Sequence, residues 1–124
     1  MSARVSGEFQ VLLRDVLARD SRYPVEAYSF VMEALDFTIR KFKTPRHITA
    51  SELLEGIRQH GIKSFGPMSR TVLESWKIQS CKDFGEIVFH LVDCGLLARQ
   101  ESDSKTDFKE GYDFEEAFEK PFQF

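Results

Sequence analysis

The chain has 124 residues, of which 42% are apolar and 30% charged, with a formal net charge of −3. That length and balance fit one folded domain and exclude global disorder. No apolar run approaches the roughly 18 residues of a membrane span, and the opening MSARVSGEFQ lacks the basic-then-apolar order of a secretory leader, so a cytoplasmic protein with no membrane partner and reduced Cys81 and Cys94 is expected.

In chain order, a first helix is expected over about 6–19, where Phe9, Leu12, Leu13, Val16 and Leu17 recur at i, i+3, i+4, i+7 and i+8. Pro24 breaks it and suits the first turn of a second helix, about 24–42. That helix confines its polar residues to a stripe of Glu26, Ser29, Glu33, Asp36 and Arg40. A helix apolar around most of its circumference is surrounded by protein, so it is either the central helix or half of a homodimer interface. A basic cluster follows, with Arg40, Lys41, Lys43 and Arg46 ahead of His47. These cations complement a helix C-terminus, or they contact phosphate.

Thr49 and Glu52 form a capping box for a third helix (about 50–60) that carries Leu53, Leu54 and Ile57, with Gly61 as its stop. A fourth helix (about 67–77) carries Met68, Val72, Leu73 and Trp76. Ser80 and Asp83 cap a fifth (about 81–94) with Phe84, Ile87, Val88, Leu91 and Val92 on one stripe, and Gly95 suits its C′ position. A strand over 96–100, a polar tip and a return strand over 112–114 complete the order, with Ile48 as a candidate first strand. The fold class expected is mainly α with a small β-hairpin wing. Two N-terminal helices (1–45) pack on a winged-helix-like three-helix unit (46–102), followed by an acidic aromatic tail (103–124) docked on the same single domain.

The outward positions of the fifth helix are Lys82, Asp83, Glu86, Phe89, His90 and Asp93. Three carboxylates would repel duplex phosphates, which disfavours this helix as a major-groove reader. Phe89 lies off the apolar stripe, covered by the N-terminal helices or tail, or serving as an aromatic anchor for a partner. Residues 1–100 hold 14 basic and 12 acidic groups, whereas 101–124 hold 3 and 8. Six aromatics punctuate that tail: Phe108, Tyr112, Phe114, Phe118, Phe122 and Phe124. A merely solubilising tail would be poor in them, so docking in cis is the first reading and docking into a partner's groove the second. The candidate partner-binding residues are therefore Phe89, Phe114, Phe118 and Phe122.

No phosphate-cradling glycine loop, G-x-S-x-G or H-E-x-x-H is present. His47, His60, His90, Cys81 and Cys94 lack the paired spacing of a metal site, so no catalytic residue, cofactor or metal is assigned. An enzyme reading would use Cys81, Asp83 and His90, with no histidine within a helical turn of the thiol.

Arg22-Tyr23, Ala27-Tyr28, Phe30-Val31, Arg46-His47-Ile48, Glu52-Leu53-Leu54-Glu55-Gly56-Ile57-Arg58, Phe65-Gly66-Pro67-Met68, Cys81 with Asp83-Phe84-Gly85-Glu86-Ile87-Val88-Phe89, and Tyr112-Asp113-Phe114 with Ala117-Phe118 resemble an uncharacterised bacterial family of short proteins. The resemblance spans about residues 8–122. It implies a bacterial, cytosolic protein whose tail is integral to the domain, and it supplies no catalytic residue. The expected function is a non-enzymatic protein-protein interaction module with a protein partner, a second copy of the chain included. The alternative is a nucleic-acid-binding regulator using Arg40, Lys41, Lys43 and Arg46.

Overall fold

A computed structural model describes residues 2–3, 9–44, 46–98, 104–109 and 111–123. Residues 6–8 of the expected first helix, 99–103 of the expected strand and tip, Pro45 and Phe124 lie outside them. Among the described residues five α-helices carry the fold: α1 (Phe9–Arg19), α2 (Val25–Ile39), α3 (Ala50–Phe65), α4 (Ser69–Ser75) and α5 (Cys81–Asp93). Two short strands, β1 (Ser2–Ala3) and β2 (Leu97–Ala98), pair antiparallel with Ser2 opposite Ala98 and Ala3 opposite Leu97. The mainly helical class is as expected. Among the described residues no helix is long and apolar enough to cross a membrane.

The apolar circumference of α2 is taken up inside one chain. Ala27, Tyr28, Phe30, Val31, Ala34, Leu35 and Thr38 are all buried, between α3 on one side and α5 on the other. The α2–α3 crossing is close because Gly56 has no side chain, since a Cβ there would fall 1.7 Å from Thr38 Oγ1. That hydroxyl is buried and donates to the Ala34 carbonyl at 2.7 Å, so it needs no partner across the crossing.

Each helix end has a local cause. At the start of α3, Thr49 Oγ1 accepts from Glu52 N–H at 3.1 Å, and the Glu52 carboxylate accepts from Thr49 N–H at 3.0 Å. The helix runs through Gly61, four residues beyond the expected stop, and ends at Gly66 with φ +53°. Glycine stops a helix only where it takes a left-handed conformation, and Gly61 stays helical. After α5, Gly95 has φ +88°, Gly95 N–H reaches Val92 O at 3.1 Å and Leu96 N–H reaches Leu91 O at 2.9 Å. This Schellman arrangement turns the chain towards β2 and buries Leu96.

The expected hairpin wing is not built as read. Tyr112 and Asp113 are coil and Phe114 opens a helical stretch, so β2 pairs with β1 from the opposite end of the chain. Ile48 is buried in coil and forms no strand. The wing fails because Phe114 and Phe118 both turn inward. Asp113 Oδ1 accepts from Glu115 N–H at 2.8 Å and starts the π-helical turn Glu115–Glu119.

The tail packs on the domain in cis. Phe108, Phe114, Ala117 and Phe118 are buried. Phe114 meets Phe84 and Phe118 with ring centroids 5.7 and 5.1 Å apart, and Tyr112 O–H donates to Leu54 O at 2.8 Å. Phe108, on the 3-10 turn Lys105–Phe108, lies so close to α5 that a Cβ on Gly85 would sit 2.9 Å from its own Cβ. Each buried Phe stabilises by about 1.5–3 kcal/mol, so four inward apolar groups suffice to hold a short segment.

Candidate functional site

Two features stand out where α1 meets the rest of the fold: an apolar groove, and a polar clamp that fixes the loop beneath it. Leu13 and Leu17 lie one turn apart on α1, and Val25 opens α2 directly after Pro24. With Arg14 they line a groove of about 340 Å³. Leu13 is buried and Leu17 half-buried, whereas Val25 is 36% exposed and Arg14 stands in solvent. The Arg14 guanidinium pairs with no described carboxylate.

The clamp joins the α1–α2 loop to one face of α5. Asp83, Glu86 and His90 are spaced i, i+3 and i+7, which places them in one row. Asp83 Oδ2 accepts from the Gln79 and Ser80 N–H groups at 2.8 and 3.2 Å, capping α5, and Asp83 Oδ1 accepts from the Tyr23 hydroxyl at 2.5 Å. Burial, with the Asp83 carboxylate behind it, pushes the Tyr23 hydroxyl well above its usual range. It stays a donor at all physiological pH. Arg22 Nη2 lies 2.8 Å from Asp20 Oδ2 and 3.4 Å from Glu86 Oε2, which Lys105 Nζ also reaches at 3.5 Å. The Arg22 side chain and backbone N–H both bond Asp20 and hold its carboxyl down at about 2. His90 completes the row, with Nδ1 2.8 Å from the Tyr28 hydroxyl and Nε2 3.5 Å from Asp20 Oδ2. Val16, Arg19, Asp20, His90 and Asp93 line a cleft of about 190 Å³ beside it.

The sequence read Asp83, Glu86 and His90 as outward residues, and they do face away from the core stripe. Their partners Asp20, Arg22 and Tyr23 lie some sixty residues earlier, and no sequence spacing pairs them. The groove was missed for another reason: Leu13, Leu17 and Val25 read as core by periodicity. The signal available was Arg14 between the two leucines and Val25 in a first helical turn, where burial is incomplete.

Of the four candidate anchors, Phe89, Phe114 and Phe118 are buried, at 6%, 4% and 0% exposure, so in this fold none offers its ring to a partner. Phe122 alone is half-exposed. Phe89 belongs to the buried core cluster, and one turn before it Gly85 lies against Phe108 of the tail.

The basic cluster is largely engaged. Arg40 pairs with Asp36 at 2.9 Å, Lys41 bonds Gln59 and lies 4.6 Å from the Phe37 ring, and Arg46 bonds Glu52 over the Phe42 ring. Lys43 stands in solvent, and Lys63 joins Lys41 over Phe37 at 5.8 Å. Cys81 is buried, and burial pushes its thiol up to about 11. At neutral pH it is a thiol, the weakly nucleophilic form. Among the described residues no three His, Cys, Asp or Glu side chains converge as metal ligands.

Comparison of the chain with protein-family models, with curated proteins and with solved structures finds no match. The resemblance to a bacterial family stands on its sequence strings alone.

Proposed function

We propose that the chain is a cytoplasmic, non-enzymatic protein-interaction module, and that its groove between α1 and α2 receives an apolar segment of a partner protein that also carries a carboxylate. The observation that carries this reading is the juxtaposition of Leu17 and Val25 with the Arg14 cation, which pairs with no described carboxylate. Apolar side chains supply the affinity in such a groove, and a charge at its rim fixes the register of the incoming segment. The order α3, α4, α5 and β2 supports a winged-helix-like description in which β1 takes the place of the returning wing strand. Phosphate binding by Arg40, Lys41, Lys43 and Arg46 has less support, because three of the four already hold partners.

Selection of random peptides on the purified protein tests the proposal. Enriched sequences are expected to combine two apolar residues one helical turn apart with an Asp or Glu. They should lose binding to Val25→Glu and Arg14→Glu. An acid in the first turn of α2 suits the helix dipole, so Val25→Glu leaves the fold intact. Enrichment that ignores both variants overturns the groove assignment. A concentration-dependent dimer that Val25→Glu dissolves would give the groove to a second copy instead.

A further inference from the structure

We propose that His90 is a proton-sensing latch: in its neutral form it holds the α1–α2 loop on α5, and on protonation it releases α1, dismantling the groove that α1 and α2 share. The inference rests on the groove reading for its consequence, whereas the latch itself rests on the geometry at His90.

The neutral ring fits its surroundings. The Tyr28 hydroxyl, fully buried and pushed up to about 12 chiefly by that burial, keeps its proton and donates it to Nδ1. That fixes the other tautomeric site, so Nε2 carries the ring proton and faces Asp20. A protonated ring has a donor on both nitrogens. Nδ1–H would then have to use the Tyr28 oxygen as acceptor and turn the phenol proton towards a buried space.

The neighbouring charges offer little compensation. On the loop, Asp20 is the strongest attraction for a proton, but it already accepts from Arg22 Nε, Nη2 and backbone N–H, and Tyr23 presents its ring 6.4 Å away. From α5 itself Glu86 attracts a proton, while Asp93 and Cys94 lie within one turn; from α1, Arg19 lines the adjoining cleft. Arg22 and Lys105, on the 3-10 turn Lys105–Phe108, repel a proton. Burial is the largest of these influences, and the net direction is downward from the usual 6.5.

What the latch holds is a weakly anchored element. Among the described side chains of α1 only Leu13 and Val16 are buried, with Phe9, Leu12 and Leu17 half-buried against the core. The row Asp83, Glu86 and His90 grips the chain immediately after α1, so loosening it frees the helix at its C-terminal end. An open form with a solvated His90 titrates near 6.5, and the closed form titrates lower. Opening is therefore favoured as pH falls below about 6.5, by up to about tenfold per pH unit until the closed form also protonates.

Amide hydrogen exchange followed by NMR on the full chain at pH 7.5, 6.5, 5.5 and 5.0, corrected for intrinsic rates, tests this. Protection of residues 12–19 should fall with pH while that of α3 holds, and the midpoint should coincide with the His90 ring titration. His90→Gln should abolish the response. Tyr28→Phe removes the donor that favours the neutral ring, and it should move the ring titration and the α1 transition upward together; this variant keeps the core volume and covers the case in which His90→Gln fails to fold. Unchanged α1 protection down to pH 5.0, or an α1 transition that stays put while the ring midpoint moves, overturns the latch. Neither readout uses a peptide, so the latch can fail without the groove reading failing, and the reverse.

Discussion

Lys77 is the only described residue other than glycine with a positive φ, +67°. It occupies the C′ position after α4, where Lys77 N–H reaches Glu74 O at 2.9 Å and Ile78 N–H reaches Leu73 O at 3.0 Å. A left-handed conformation costs an L residue about 1–2 kcal/mol, and glycine adds about 0.5–1 kcal/mol of unfolded-state entropy. Lys77→Gly is therefore expected to raise stability by about 0.5–1 kcal/mol, read as a higher urea midpoint at unchanged m-value. Gly56 is constrained by space instead of by φ. Gly56→Ala drives a methyl onto Thr38 Oγ1 and should cost about 1–3 kcal/mol as overpacking does. Thr38→Ala removes the obstructing hydroxyl along with its bond to Ala34 O, so the double variant should be less destabilised than the two singles summed. Simple additivity in that cycle would mean the crossing relaxes elsewhere.

The tail is the element whose removal tells most about packing. Phe118 is fully buried and meets Tyr112 and Phe114 edge-on at 5.8 and 5.1 Å. Its truncation to Ala should cost about 3–5 kcal/mol. The tail also seals Cys81, since a Cβ on Gly111 would fall 2.5 Å from Cys81 Sγ. Phe118→Ala should consequently speed labelling of Cys81 by a disulfide reagent relative to Cys94. Equal rates in variant and wild type would show that the tail does not gate the thiol. The helices were legible because their apolar residues recur at the helical period, and four of the five ended within three residues of expectation. The wing was not. Over Tyr112, Asp113 and Phe114 an alternation of period 2 looks like a strand, but Phe114 and Phe118 also satisfy the helical period, and the available core space under α3 and α5 decided between them. The Ser2–Ala3 partner of β2 carries no periodic signal at all.

At the scale of the molecule, what composition could not reveal is how charges pair across the chain. Asp20, Arg22 and Tyr23 reach α5 only once α2 has folded back, so a sequence reading lists Asp83 and Glu86 as repulsive surface when each already holds a partner. The same pairings set the acid limit of the fold. The Thr49 N–H, and then Arg46, lower the Glu52 carboxyl; Arg58 lowers Glu55; and Arg22 holds Asp20 at about 2 against an ordinary 3.8. A depressed carboxylate stabilises the fold fully above its unfolded value, and that stability is lost as pH falls through the folded one. Urea midpoints should therefore decline between about pH 4.5 and pH 2, on a limb separate from the His90 limb that begins near 6.5. Glu52→Gln keeps an N3 side chain able to serve the capping box but removes the charge. It should lie below wild type at neutral pH, decline less steeply in acid, and converge with wild type near pH 2. A constant gap between the two at every pH would show that Glu52 acts through its shape alone, and the acid limb would then belong to Asp20 and Glu55.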